Sequence, residues 1–142
     1  MMLALGTITK KDVCEFRRVL EKSACLLLSE KGVPADERRQ FEEILAAMES
    51  ADEKTLPALD RDFHTMLLLS TGNYLMVSVL DTIAEVYQKW IDIVIRKTGK
   101  DEKNRLQAYH KGIYTSLAEA DTDLALRFVD DHYDLIEEML EL

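Results

Sequence analysis

The chain has three histidines, His64, His110 and His132, and their placement is what first suggests chemistry. Each falls on the apolar face of its own helical stretch. His64 lies one turn from Leu67 and Leu68; His110 shares a face with Leu106, Ile113, Tyr114 and Leu117; His132 sits with Phe128, Val129, Leu135 and Ile136. All three are expected to point inward. A lone histidine in such a place is most often a hydrogen-bonded core residue. Three of them, with none left for the surface, are costly to bury unless something shared satisfies their nitrogens, and one divalent cation does that for all.

Asp60 precedes His64 by four residues, which on a helix puts carboxylate and imidazole on one face with Cβ atoms about 6 Å apart, a chelating pair. Asp62 faces elsewhere. The candidate ligand set is therefore Asp60, His64, His110 and His132. Three nitrogens and one oxygen suit Zn²⁺ first, and also Ni²⁺, Fe²⁺ or Mn²⁺, with room for water or an acidic ligand in an octahedral geometry. Arg17 is in register with Val13, Leu20 and Ala24, so it too belongs to a core-facing stripe, where a guanidinium requires an anion. That anion is either a buried Asp or Glu or the carboxylate of a ligand. Tyr114, one turn beyond His110, and Tyr87 and Trp90 are candidates for lining a pocket beside the ion, although aromatics at helical spacing are more often plain core.

The elements that must position these groups read as helices. Lys10 to Lys31 carries Val13, Phe16, Leu20, Ala24, Leu27 and Leu28 at three-to-four spacing, ended by Gly32 and Pro34. Ala35 to Ser50 repeats the pattern with Phe41, Ile44, Leu45 and Met48. A third helix spans Leu56 to Ser70 with Pro57 in its first turn, stopped by Thr71-Gly72-Asn73, with Gly72 suited to a left-handed conformation. Asn73 caps a fourth, Tyr74 to Thr98, whose long stripe (Met76, Val79, Leu80, Ile83, Tyr87, Trp90, Val94) marks it as the candidate central helix. Two more run from Asp101 to Glu119 and from Asp123 to Leu140, with Asp121 or Thr122 as the cap between them. Six helices, no strand and connections of two to four residues predict an all-α antiparallel bundle around a buried metal site.

The bulk properties narrow the function. A length of 142 residues sustains one core, here residues 9–142 after a linker or N-terminal arm at 1–8. With 18 basic against 27 acidic residues the net charge is −9, which repels a phosphate backbone, so this chain alone is not expected to bind DNA. No apolar run reaches the ~18 residues of a membrane span and the opening residues make no signal segment, so a cytoplasmic location is expected. Cys14 and Cys25 fall ~16 Å apart along one helix, beyond a disulfide's reach, and are expected to be reduced. The acidic pairs Asp130-Asp131 and Glu137-Glu138 read as solvated faces.

Asp60-x-x-Phe63-His64, Thr71-Gly72-Asn73 soon after, His110-x-x-Ile113, and His132 twenty-two residues on together resemble the FCD domain, the helical effector domain of GntR-type bacterial transcription regulators. The opening helix agrees: Arg17 and Arg18 before Leu20-Glu21 resemble the family's arginine before a Leu-Glu pair, which faces its effector pocket. The resemblance runs from about Ile8 to Leu142. It implies a metal held by Asp60, His64, His110 and His132, a small organic acid bound beside it by Arg17, and a homodimer that binds operator DNA through a winged helix-turn-helix domain. Residues before Ile8 are too few for that domain, so either the DNA reader lies outside these residues or the protein works without one. Tyr109 departs from the acidic residue often found before the second histidine. Six helices match the family's metal-containing branch better than its acyl-CoA-binding one, which disfavours a fatty-acyl ligand.

Two other readings of the same residues remain open. A metal-dependent hydrolase could use an open metal position, but no further histidine is available as a base and no Gly-x-Ser-x-Gly motif occurs; di-iron Glu-x-x-His pairs are also missing, with Arg61, Gln107 and Val129 at those positions. A metal-stabilised dimerisation module would need only a closed site. The chain is expected to be a sensor and not an enzyme.

Overall fold

The computed structural model describes residues 7–142, apart from the side chain of Glu85; of the expected arm at 1–8, residues 1–6 lie outside the described residues. Among the described residues there are six helices and no strand: α1 (Lys10–Lys31), α2 (Ala35–Glu49), α3 (Leu56–Leu69), α4 (Tyr74–Lys97), α5 (Lys100–Ala118) and α6 (Thr122–Met139). Local chemistry explains the ends. Thr9 and Asp12 form a reciprocal capping box at the start of α1, Asn73 accepts from the Met76 amide at the start of α4, and Asp121 accepts from the Leu124 amide at the start of α6. Gly72 closes the α3 end with φ +76°, a conformation that glycine adopts without strain. Gly99 instead has an extended backbone and sits as the N-cap of α5, with Thr98 ending α4.

α6 packs most extensively against α5 and next against α1, while α3 lies between α2 and α4. The expectation of a central fourth helix is corrected by this arrangement: α4 rests mainly on α3 and meets α1 and α6 more lightly. Its length made it look central, but Tyr74 and Leu75 are exposed, and only the face with Leu80, Ala84, Tyr87, Ile91 and Val94 is buried. Two short connections also fail to make neighbours, because α1 and α2, like α4 and α5, share few contacts. The apolar face of α1 (Val13, Ala24, Cys25, Leu28) turns towards α6 and α3 instead.

A core of Phe41, Phe63, Leu67, Leu68, Ile113, Val129 and Tyr133 fills the middle of the bundle. α5 and α6 approach closely at Gly112, where an added Cβ would lie 2.7 Å from the Phe128 ring. Cys14 and Cys25 are both free and buried; burial raises both thiols, Cys25 to about 12, so neither is a reactive thiolate. The acidic residues of α6 are more than a solvated face. Arg18 reaches Asp130 at 2.9 Å, Asp134 at 2.8 Å and Glu137 at 3.3 Å, and Lys22 reaches Asp130 at 2.8 Å, tying α1 to α6.

Candidate metal centre

α3 carries Asp60 and His64 one turn apart, α5 carries His110 and α6 carries His132, and the bundle folds these four side chains together. Phe63, fully buried against Phe41, lies with its ring 4.8 Å from that of His110 and fixes the α3 side of the cluster. The close α5–α6 contact at Gly112 brings His110 and His132 within reach of each other. His110 Nε2 and His132 Nε2 are 3.0 Å apart, and Asp60 Oδ1 lies 3.3 Å from His110 Nε2 and 3.4 Å from His64 Nε2. One donor atom from each of the four falls within 4.8 Å of all the others.

The separations of 3.0, 3.3 and 3.4 Å match donors that share a cation. Ligand atoms about 2.1 Å from one ion stand about 3.0 Å apart in a cis octahedral pair and about 3.4 Å apart in a tetrahedral one. His64 Nε2 is buried and makes no hydrogen bond, an orphan that a cation between the donors would satisfy. The protonation states suit the same role. Burial holds His110 below its ordinary range, and His132 is held well below by burial and by the neighbouring His110 and His64. Burial would raise Asp60, but His64 and His110 outweigh it and keep the carboxyl well below the usual range. Two neutral imidazoles and one carboxylate are thus ready as ligands.

His64 differs because Glu21 stands behind it. Glu21 is 2% exposed, and its carboxylate accepts from His64 Nδ1. Burial alone would lower the His64 pKa, but the Glu21 and Asp60 carboxylates outweigh it and raise it to about 9. A carboxylate on the far nitrogen of a histidine is the arrangement that orients ligating imidazoles and raises their basicity.

Arg17 lies beside the cluster. It is 6% exposed, yet among the described residues no carboxylate pairs with it; the ion pairs from α1 to α6 are made by Arg18 and Lys22. Its guanidinium lies 4.5 Å from the Tyr87 ring centroid and 5.5 Å from that of Tyr133, and its Nε has no hydrogen-bond partner. Arg17 and Tyr87 line a small cavity of about 40 Å³ whose wall also includes Asp60, His132 and Trp90. On the other side of Asp60 a larger cavity of about 270 Å³ is bounded by His110, Leu56, Lys103, Asn104 and Gln107. Asp60, Ile95 and Leu106 wall both.

The structure thus brings together Asp60, His64, His110, His132, Arg17 and Tyr87. It does not bring Tyr114 to them. That side chain lies between α2 and α5, its hydroxyl donating to Glu42 at 2.9 Å and its ring 5.1 Å from Phe41, and it lines neither cavity. Two residues at the centre were given no role at the site by sequence reasoning. Glu21 falls four residues after Arg17 on the same stripe, so a second charge on an apolar face was the available signal. Tyr133, 1% exposed with an unpartnered hydroxyl, stacks edge-on against His132 with ring centroids 4.7 Å apart; it was hidden beside the more conspicuous histidine.

No curated protein matches the chain. The family model of the FCD domain matches residues 12–135, a span that includes all four donors, Arg17 and Glu21. The chain belongs to the FCD domain family, the effector-binding regulatory domains of GntR-type transcription regulators.

Proposed function

We propose that this domain senses a small carboxylic acid at a divalent metal ion held by Asp60, His64, His110 and His132, and that acid binding alters DNA binding by a separate winged-helix domain of a homodimeric regulator. The observation that carries the reading is the unpaired, buried Arg17 beside a convergent N₃O donor set: a cation without a protein anion lies next to a site built for another cation. A resident ion would supply a Lewis-acidic point for a ligand oxygen. Arg17 would hold the carboxylate, Tyr87 and Tyr133 would keep the guanidinium in place, and Glu21 would fix the plane of His64.

Binding shifts a regulator only if the acid prefers one helix arrangement over another, a coupling of typically about 1–3 kcal/mol. FCD domains belong to transcription regulators, which are generally not enzymes, and all three histidines of this chain are in the donor cluster, leaving none as a general base. Among the described residues no helix is long and apolar enough to cross a membrane, and a cytoplasmic regulator is part of the proposal. The domain assignment, one sensing unit over 9–142, is likewise proposed.

The test is thermal unfolding of metal-free protein, of Zn²⁺-loaded protein, and of loaded protein with a panel of mono-, di- and hydroxycarboxylates. Sensing expects a further rise in Tm with at least one acid. A metal-induced rise with no response to any acid would instead identify a metal-stabilised dimerisation module.

A further inference from the structure

We propose that the effector is a two-ended acid, a dicarboxylate, with one carboxylate on the Arg17 side of Asp60 and the other paired with Lys103 in the larger cavity. This inference rests on the acid-sensing reading above and adds the chemical class and direction of the ligand. Asp60, Ile95 and Leu106 line both cavities, so the two adjoin at the donor cluster, and a ligand lying between these side chains would reach both. Their sizes are unequal. At about 10–15 Å³ for each water, the 40 Å³ of the Arg17 side holds a group no larger than a carboxylate, and the body of the ligand must occupy the 270 Å³ on the other side.

The chemistry of the larger cavity defines that body. Met48, Leu56, Ile95 and Leu106 give it apolar walls suited to a short methylene chain. Lys103 is half-buried at its edge, and its ammonium donates to the Ala51 carbonyl at 3.4 Å; among the described residues no carboxylate pairs with it. Asn104 lies beside it as a further polar group, while the Gln107 amide is already engaged with the Leu45 carbonyl at 3.1 Å. The acidic groups in the walls are the exposed Glu49 and the donor Asp60. Arg17 and Lys103 are therefore two cations without ion-pair partners, one on each side of the same cluster. A monocarboxylate with an apolar tail would answer only one of them.

The experiment is calorimetric titration of the Zn²⁺-loaded protein with glutarate and adipate against valerate and hexanoate, repeated on Lys103→Met, Lys103→Arg and Arg17→Met. Elemental analysis confirms equal metal loading. The expected result is diacid binding at least tenfold tighter than monoacid binding. Lys103→Met brings diacids down to the monoacid level without changing monoacid affinity, Lys103→Arg retains the preference, and Arg17→Met weakens both classes. Monoacids binding as tightly as diacids, or a diacid preference that survives in Lys103→Met, overturns the two-ended ligand and leaves acid sensing standing. Binding of neither class overturns both.

Discussion

Glu21 and His64 are joined by a buried hydrogen bond across 43 residues of sequence, from the middle of α1 to the helix that carries two of the four donors. The contact links the first helix of the bundle to the candidate metal site without making it a ligand. Glu21 Oε2 has no partner of its own, so the carboxylate is held there by this single interaction.

Replacing Glu21 by Gln keeps its size but removes the charge that orients His64. Outer-shell partners of this kind are typically worth 10–100-fold in metal affinity. Glu21→Gln is expected to weaken Zn²⁺ binding by that order in a chelator competition assay. An affinity within twofold of the parent would reduce the contact to an ordinary core hydrogen bond.

His64→Ala and His132→Ala each delete a donor from the cluster and are expected to lower bound metal to background, as measured by elemental analysis of dialysed protein. Asp60→Asn keeps shape but loses the anion and is expected to retain metal only weakly. Parent-like metal content in the His64 variant would remove the basis for the site.

In metal-free protein the raised pKa of His64 has a definite consequence for stability. A group bound more tightly to its proton in the folded state stabilises fully below its unfolded value of 6.5, and that contribution is lost as pH rises through about 9. Metal-free protein should therefore lose stability, on the order of 3 kcal/mol, between these values. A ligating imidazole must be deprotonated, so Zn²⁺ affinity should rise over the same interval. Denaturant melts at pH 6, 7.5 and 9 with a chelator present check the first; a flat profile contradicts it.

Two adjacent arginines should behave oppositely. Arg17→Met removes a cation with no protein anion and is expected to leave metal content and Tm nearly unchanged while weakening acid binding at least tenfold. Arg18→Ala breaks the network to Asp130, Asp134 and Glu137 and is expected to cost about 1 kcal/mol, less at high salt, with acid affinity intact. Salt-dependent melts alongside calorimetry separate the two; loss of acid binding in the Arg18 variant would reassign the ligand contact.

Much of this was legible because it is local. The helices end within one or two residues of where the caps, Gly72 and the apolar stripes predict, and the four donors declare themselves as polar residues on otherwise apolar faces. Helix packing order is not local. Nothing in the stripe of α4 says that it leans on α3, and the short link at Gly32 does not keep α1 beside α2, because burial of the α1 face against α6 and α3 outweighs connection length. Tyr114 misled for a related reason: one turn from His110 fixes its position along α5 but not which neighbour it meets, and Glu42 supplies a partner on α2. Glu21 was written on the same face as Arg17, but its partner lies in another helix.

The donors belong to α3, α5 and α6, with α1 bracing His64, while α4 lends the cluster nothing. Yet α4 walls both cavities, through Tyr87, Trp90 and Ile91 on one side and through Ile95 on both, with its C-cap Thr98 at the larger. The donor helices and α4 together thus enclose the space where a guest would lodge, with α4 held to them mainly through α3. A guest in either cavity would touch α4 and, through Asp60, the donor helix α3 on which α4 rests.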